Sequence, residues 1–179
     1  MEELIIDIRN WFNGNVDHLR AFAEADCRLE GWFKGELLVF FNRLLASGRL
    51  TKVEREANVP RQDSGRRTQV DFRITIGDTI HLCELKALCI SQAAGTPRNL
   101  GFYFRNDHVG LFKDFRKLDS LQGVNKWVLG MVHPPPVPQQ WNAALGLIPP
   151  DLQHWKPITA LDTATKELFV STWRSTLSL

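Results

Sequence analysis

The stretch VDFRITIGDTIHLCELKAL, residues 70–88, decides the fold because it predicts two strands joined by a tight turn. A Gly-Asp pair at 77–78 separates two runs of partly alternating apolar and polar residues. Glycine readily adopts the positive φ that two-residue hairpin turns require. With this pair as the loop, opposed residues keep a constant sum of residue numbers. The register therefore predicts that Asp71 lies opposite Glu84.

Opposed residues of an antiparallel pair point to the same face of the sheet. Lys86 follows Glu84 by two positions, so it points to that face as well. The other face would then carry an apolar set suited to a core, namely Val70, Phe72, Ile74 and Ile76. The alternative is a solvated strand pair with a weak surface salt bridge. The opposition of two like charges argues against it.

The sequence around this hairpin predicts a mixed α/β fold. Helices are indicated by apolar residues at helical spacing, and strands by short β-branched, alternating runs. The predicted elements are, in order, helices over 2–12, 15–29 and 32–47, strands over 50–59, 68–76 and 78–88, a helix over 110–121 and a strand over 126–133.

The 179 residues, 44% of them apolar, suit a single domain spanning 1–179. Its core is predicted over about 31–133, after N-terminal helices in 1–30. The proline run HPPPVPQQ marks a late turn. Residues 134–179 are therefore expected to form a C-terminal appendage.

Charge and cysteine content exclude several classes of protein. A formal net charge of +2 excludes a strongly cationic coating protein, so nucleic acid would have to bind at a local patch. No apolar run approaches the roughly 18 residues of a membrane span. Three cysteines without C-x-x-C spacing predict neither a disulfide framework nor a structural zinc site. We expect a cytoplasmic protein with no membrane partner.

Two carboxylates beside an ammonium group have a defined chemical use. Mg²⁺ prefers carboxylate oxygens and keeps several waters. Such an ion can orient a phosphate and lower the pKa of an attacking water. A lysine can position that water or stabilise negative charge in the transition state. Asp71, Glu84 and Lys86 are therefore the candidate catalytic residues for phosphodiester hydrolysis.

Asp71 followed by Glu84-Leu85-Lys86 resembles the PD-(D/E)XK nucleases, the restriction-endonuclease-like superfamily. The family order of helix, three strands, helix and strand is similar to the order predicted over 31–133. Val70 stands where the family often has proline. The resemblance implies a restriction-endonuclease-like core, with a central mixed sheet flanked by helices. It implies a deoxyribonuclease, an endonuclease of restriction, repair or anti-phage defence.

The same resemblance implies the ligands of the metal ion. The ion would be Mg²⁺, with Mn²⁺ as a substitute, held by Asp71 and Glu84. The backbone carbonyl of Leu85 would be a further ligand. Many members of the family carry a glutamate on the helix before the sheet. By that analogy Glu36 would be the fourth site residue, both catalytic and metal-binding.

Basic residues outside this motif are candidate nucleic-acid contacts, because cationic side chains bind phosphate oxygens. The helix over 110–121 carries three of them at i, i+3 and i+4, although a solvated helix face explains that stripe equally well. Glu54 and Glu56 on the preceding strand could add a contact to the site. The candidate phosphate contacts are Arg61, Arg66, Arg67, Arg98, Arg105, Lys113, Arg116 and Lys117.

The partner is expected to be nucleic acid, most consistently DNA. A small domain without a sequence-reading module would take its specificity from a homodimer or a partner protein. One alternative is a non-catalytic nucleic-acid-binding or assembly subunit that keeps the nuclease fold. Another is action on RNA. Incubation with different nucleic acids distinguishes these cases.

Overall fold

The computed structural model describes residues 1–24, 29–90, 99–107, 110–123 and 125–177. They form the predicted mixed α/β fold, a six-stranded mixed sheet flanked by helices. The helices are α1 Glu2–Asn13, α2 Val16–Glu24, α3 Leu29–Ala46, α4 Leu111–Asp119 and α5 Pro138–Leu145. The strands are β1 Lys52–Pro60, β2 Arg67–Ile76, β3 Thr79–Cys89, β4 Lys126–His133, β5 Trp155–Pro157 and β6 Phe169–Ser175.

The strands lie in the order β1-β2-β3-β4-β6-β5. β3 and β4 are parallel, and the other neighbouring pairs are antiparallel. A parallel pair needs a long crossover connection, and α4 supplies it here. This crossover lays α4 across β3 and β4, so its side chains can reach the middle of β3.

Two apolar cores cover the two faces of the sheet. The helices α1 to α3 pack on one face against residues that include Phe72 and Leu85. The helices α4 and α5 pack on the other face, where the Phe115 ring stacks on Trp155 with centroids 4.6 Å apart. Because both faces are covered, polar side chains of β3 are forced inside the protein.

The hairpin register is confirmed over the paired residues. Gly77 has a φ of 57°, and pairing runs from Ile76–Thr79 to Phe72–Cys83. The ladder ends there, one residue before the expected partners Asp71 and Glu84. From this point β2 leaves β3 while it stays paired with β1.

The sheet bends where β2 leaves β3. In β1, Glu56 has a φ of 52°, a left-handed conformation that costs a non-glycine residue on the order of 1–3 kcal/mol. Phe72 and Ile74 lie in the core under α1 to α3, whereas Val70 lies in the core under α4. The predicted common apolar face is therefore wrong at Val70, because the bend carries that residue to the opposite side.

The C-terminal segment contributes to the sheet. Residues 134–179, expected as an appendage, supply α5, β5 and β6, and β6 pairs with β4 from Trp127–Arg174 to Val132–Phe169. Pro138 begins α5, which suits proline because the first helical N–H needs no partner. No helix in the described ranges is both long and apolar enough to cross a bilayer.

Candidate active site

The separation of β2 from β3 opens one edge of β3, and side chains take the place of the missing strand. The Leu85 N–H donates to Asp71 Oδ2 at 2.9 Å. The next N–H on this edge, that of Ala87, donates to Glu30 Oε2 at 3.3 Å. In a β-strand the N–H and C=O of one residue point to the same edge. The Leu85 carbonyl therefore faces the side where Asp71 lies.

Asp71 is held between β3 and α3. Its Oδ1 accepts a hydrogen bond from Lys34 Nζ at 2.8 Å, while its Oδ2 accepts from Leu85. Both side chains of the Asp71–Lys34 pair are 25% exposed. Lys34 Nζ also lies 3.4 Å from Glu56 Oε1 at the bend in β1. A helix, a bend and a strand edge therefore fix the position of this carboxylate together.

Glu84 lies inside the protein, with a residue exposure of 4%. Its Oε1 is 2.7 Å from Lys117 Nζ on α4, but the approach lacks hydrogen-bond geometry. Burial raises the pKa of Glu84 to about 7. The Lys117 charge opposes this rise, and the Asp71 and Asp114 charges add to it. Glu84 is therefore a carboxylate that the fold leaves under-compensated.

Lys86 pairs with a buried acid. Its Nζ lies 2.8 Å from Asp114 Oδ2, and both residues are buried. Burial alone would lower the pKa of Lys86, but the negative charge of Asp114 outweighs it and raises the pKa. Lys86 is therefore an ammonium group at neutral pH. It can donate hydrogen bonds and stabilise negative charge, but it cannot accept a proton.

Asp114 and Glu30 belong to this site although the sequence did not single them out. Asp114 falls in the apolar register of α4, where Leu111, Phe115 and Leu118 mark the buried stripe at i, i+3, i+4 and i+7. An acidic residue in such a stripe needs a buried cation as its partner. The position of Asp114 in the apolar stripe was therefore the sequence signal that could have identified it. Glu30 opens α3 and precedes Lys34 by one helical turn, so the two share a face.

Glu36 does not reach the site. Its carboxylate accepts from Trp11 Nε1 at 3.2 Å and lies 3.2 Å from His18 Nδ1, between α3 and the two preceding helices. A helix turns about 100° per residue, so Glu36 lies about 200° around α3 from Lys34. The site role that the resemblance implied for Glu36 is therefore not supported by its position, which faces Trp11 and His18.

The predicted phosphate contacts are divided among different surroundings. Lys117 turns inward to Glu84, Arg116 pairs with Asp151 at 2.8 Å, and Lys113 is exposed. Arg61 pairs with Asp63, Arg66 and Arg67 are exposed, and the Arg105 guanidinium lies 3.9 Å from the centre of the Phe102 ring. Arg98 lies outside the described residues. The stripe on α4 is therefore not one continuous basic surface.

No family model, curated protein or solved structure matches this chain. The chemistry of the site rests on its own geometry. Five carboxylates surround three lysines, a net charge of −2 with all eight groups ionised. The carboxylates are those of Glu30, Glu56, Asp71, Glu84 and Asp114, and the lysines are Lys34, Lys86 and Lys117.

The donor set fits a hard divalent cation. Asp71 and Glu84 offer carboxylate oxygens, the Leu85 carbonyl faces the same edge, and Glu84 Oε1 is buried without a hydrogen bond of good geometry. In the described ranges no three His, Cys, Asp or Glu side chains converge closely enough to hold a metal ion. Mg²⁺ commonly uses one or two protein carboxylates and completes its shell with water and substrate phosphate.

Glu84→Gln is expected to stabilise the protein at about pH 8 in the presence of a chelator. Folding raises the pKa of Glu84 from 4.5 to about 7, so the folded state holds a proton that the unfolded chain releases in this window. Stability contributed by this group therefore falls as pH rises from 4.5 to 7. Above about pH 7, the ionised and buried Glu84 destabilises the folded state by on the order of 3 kcal/mol. Glutamine carries no charge and therefore removes this cost.

Urea unfolding of wild type and Glu84→Gln at about pH 4.5 and pH 8 measures this effect. The exposed residue Glu3 on α1 supplies the control variant Glu3→Gln, which neutralises a carboxylate that is not buried. Equal stability differences for Glu84→Gln at the two pH values would contradict the burial of an ionisable carboxylate.

Proposed function

We propose that this chain is a metal-dependent nuclease of the PD-(D/E)XK type, hydrolysing phosphodiester bonds in DNA. The observation that carries the proposal is that Asp71 binds the edge of β3 at Leu85, between Glu84 and Lys86, where β2 leaves β3. The order α3, β1, β2, β3, α4, β4 supports a restriction-endonuclease-like core. The thiol of the buried Cys83 is free, which suits a reducing cytoplasm.

Each residue of the proposed site has a distinct task. Asp71 and Glu84, with the Leu85 carbonyl, would hold the metal ion. A bound Mg²⁺ would supply Lewis acidity and lower the pKa of an attacking water. Lys86, held as an ammonium group by Asp114, orients the attacking water by donating a hydrogen bond and stabilises charge on the phosphoryl oxygens. Glu30 fixes the strand edge through Ala87 and takes no part in the chemistry.

Nucleic acid is the proposed substrate class, with a bound divalent ion offsetting the net negative charge of the site. The exposed cations Arg66 and Lys113 would meet phosphate oxygens, which position a duplex without reading its sequence. Tyr103 and Phe104 are buried, so they do not stack on bases. Sequence or structure specificity then comes from a second copy of the chain or from a partner protein.

Incubation with supercoiled plasmid, linear duplex DNA, single-stranded DNA and RNA tests the proposal directly. We expect cleavage of DNA in millimolar Mg²⁺ or Mn²⁺, and none in a chelator. Nicking of closed circular plasmid distinguishes endonucleolytic from exonucleolytic action. The control is Glu36→Gln, whose carboxylate lies away from the site and which should cleave like wild type.

The alternative function is that of a non-catalytic nucleic-acid-binding subunit, for which the same assay should give a different result. Such a chain binds DNA and cuts none of the substrates with either metal. The pairing of Asp71 with Lys34, and of Lys86 with Asp114, serves stability in either case. Glu84 separates the two functions, because its burial raises its pKa in spite of Lys117, a cost in stability that a bound metal ion would offset.

A further inference from the structure

Two of the three lysines in the site, Lys34 and Lys117, are more exposed than the third, Lys86, and pair with a different kind of partner. Lys86 is 10% exposed and pairs with Asp114, which is not a proposed metal ligand. Lys34 and Lys117 are 25% and 28% exposed, and they pair with Asp71 and Glu84, the two proposed ligands. They come from different helices, α3 and α4. The two more exposed ammonium groups therefore occupy the oxygens that a metal ion would need.

An ammonium group and a divalent ion compete for one carboxylate oxygen. The Lys34 and Lys117 nitrogens lie 2.8 Å and 2.7 Å from Asp71 Oδ1 and Glu84 Oε1. A metal ion on the same oxygens would lie a few ångströms from both positive charges, where repulsion is strong in a poorly solvated site. The lysines must therefore move when the ion binds. Each then needs a new negatively charged partner.

Nucleic acid provides that partner, because its phosphate oxygens accept hydrogen bonds from lysine. Both side chains are partly exposed, so a phosphate in solution can reach each ammonium group. The Lys117 contact also lacks hydrogen-bond geometry, which makes it the easier one to exchange.

We propose that Lys34 and Lys117 form a phosphate-binding pair that exchanges the carboxylates of Asp71 and Glu84 for backbone phosphate oxygens, so that the divalent ion and the nucleic acid bind cooperatively. This inference rests on the proposed function and adds a mode of regulation to it. Nucleic acid draws the two lysines away from the metal-binding carboxylates, and the ion releases the same lysines to bind phosphate. By thermodynamic linkage, the ion must tighten nucleic-acid binding by the same factor as nucleic acid tightens ion binding.

Calorimetric titration of the purified full chain with Ca²⁺, with and without a short DNA duplex, measures this coupling. Ca²⁺ has the same hard-oxygen preference as Mg²⁺, and its use keeps the readout independent of turnover. A buffer at about pH 8.5 keeps Glu84 ionised. For wild type we expect the duplex to tighten Ca²⁺ binding at least about fivefold, the lower end of ordinary coupling between sites.

Lys34→Met and Lys117→Met each remove a competing ammonium while keeping much of the aliphatic stem. Without DNA, each variant should bind Ca²⁺ at least about fivefold more tightly than wild type. Each should also bind the duplex more weakly and lose most of the coupling. The matched control is Lys156→Met, an exposed lysine on the edge strand β5, which should change Ca²⁺ affinity in neither condition.

The outcomes separate this inference from the proposed function. A wild type that cleaves DNA but shows no coupling overturns the inference alone, as do lysine variants that bind Ca²⁺ no more tightly than wild type. A wild type that neither cleaves nor binds Ca²⁺, with or without DNA, overturns both. If circular dichroism shows that a lysine variant is unfolded, the wild-type coupling still decides the question.

Discussion

Lys86→Met is expected to slow DNA cleavage at least about 10²-fold, the usual cost of removing a preorganised charged group at the reacting centre. Methionine keeps much of the stem but removes the ammonium group. The proposed metal ligands Asp71 and Glu84 remain, so the variant should still bind metal and DNA. Single-turnover cleavage in Mg²⁺, together with DNA binding in Ca²⁺, measures the two effects separately.

This substitution also leaves Asp114 buried without its cation. Breaking one partner of a buried ion pair typically costs about 3–5 kcal/mol. We therefore pair it with the double variant Lys86→Met/Asp114→Asn, which removes both charges. The double variant should regain most of the stability but none of the activity, and Asp114→Asn alone serves as its control. Cleavage at the wild-type rate by the double variant would show that Lys86 has no catalytic role.

Asp71→Asn is expected to lose metal binding and turnover together. Asparagine keeps an oxygen that can accept from the Leu85 N–H, so the strand edge keeps its partner. The lost charge weakens the cation site, and we expect cleavage at least about 10²-fold slower in the same assay. In wild type, millimolar Mg²⁺ should raise the unfolding temperature by mass action, and this rise should vanish in the variant.

Glu36→Gln is the matched control for this experiment. It neutralises another carboxylate, one that lies against Trp11 and His18. Its thermal response to Mg²⁺ should equal that of wild type. If Asp71→Asn keeps the full response while Glu36→Gln loses it, the ion binds on the α1 side of α3, and the proposed site is misplaced.

The central hairpin could be predicted because its information is local. A glycine turn and an alternating pattern fix register over a few residues, and the pairs from Ile76–Thr79 to Phe72–Cys83 follow it. The departure of β2 at Asp71 could not be predicted in the same way. It depends on a left-handed Glu56 in the neighbouring strand and on a core under α4 that receives Val70. Both are tertiary effects.

The site residues also divide into those that local sequence predicts and those that depend on tertiary packing. Asp71, Glu84 and Lys86 were found from strand alternation alone. Their partners come from α3 and α4, and sequence spacing does not give the rotation of a helix relative to a sheet. Glu36 was therefore assigned by analogy alone, and neither Glu30 nor Asp114 was predicted as a site residue. The strand β6 was missed because its pairing with β4 crosses the proline-rich segment.

The burial of Glu84 has a consequence for how such a chain changes under selection. Losing Lys86 or Asp71 removes a charge that a buried or bonded neighbour requires, so stability alone favours keeping them. Losing Glu84 relieves a cost, since burial holds its pKa near 7 even beside Lys117, and the 28% exposed Lys117 can be solvated instead. A lineage released from catalysis would therefore lose Glu84 first and keep the pairs around it. Under the proposed function, Glu84 is kept for metal binding against this gain in stability.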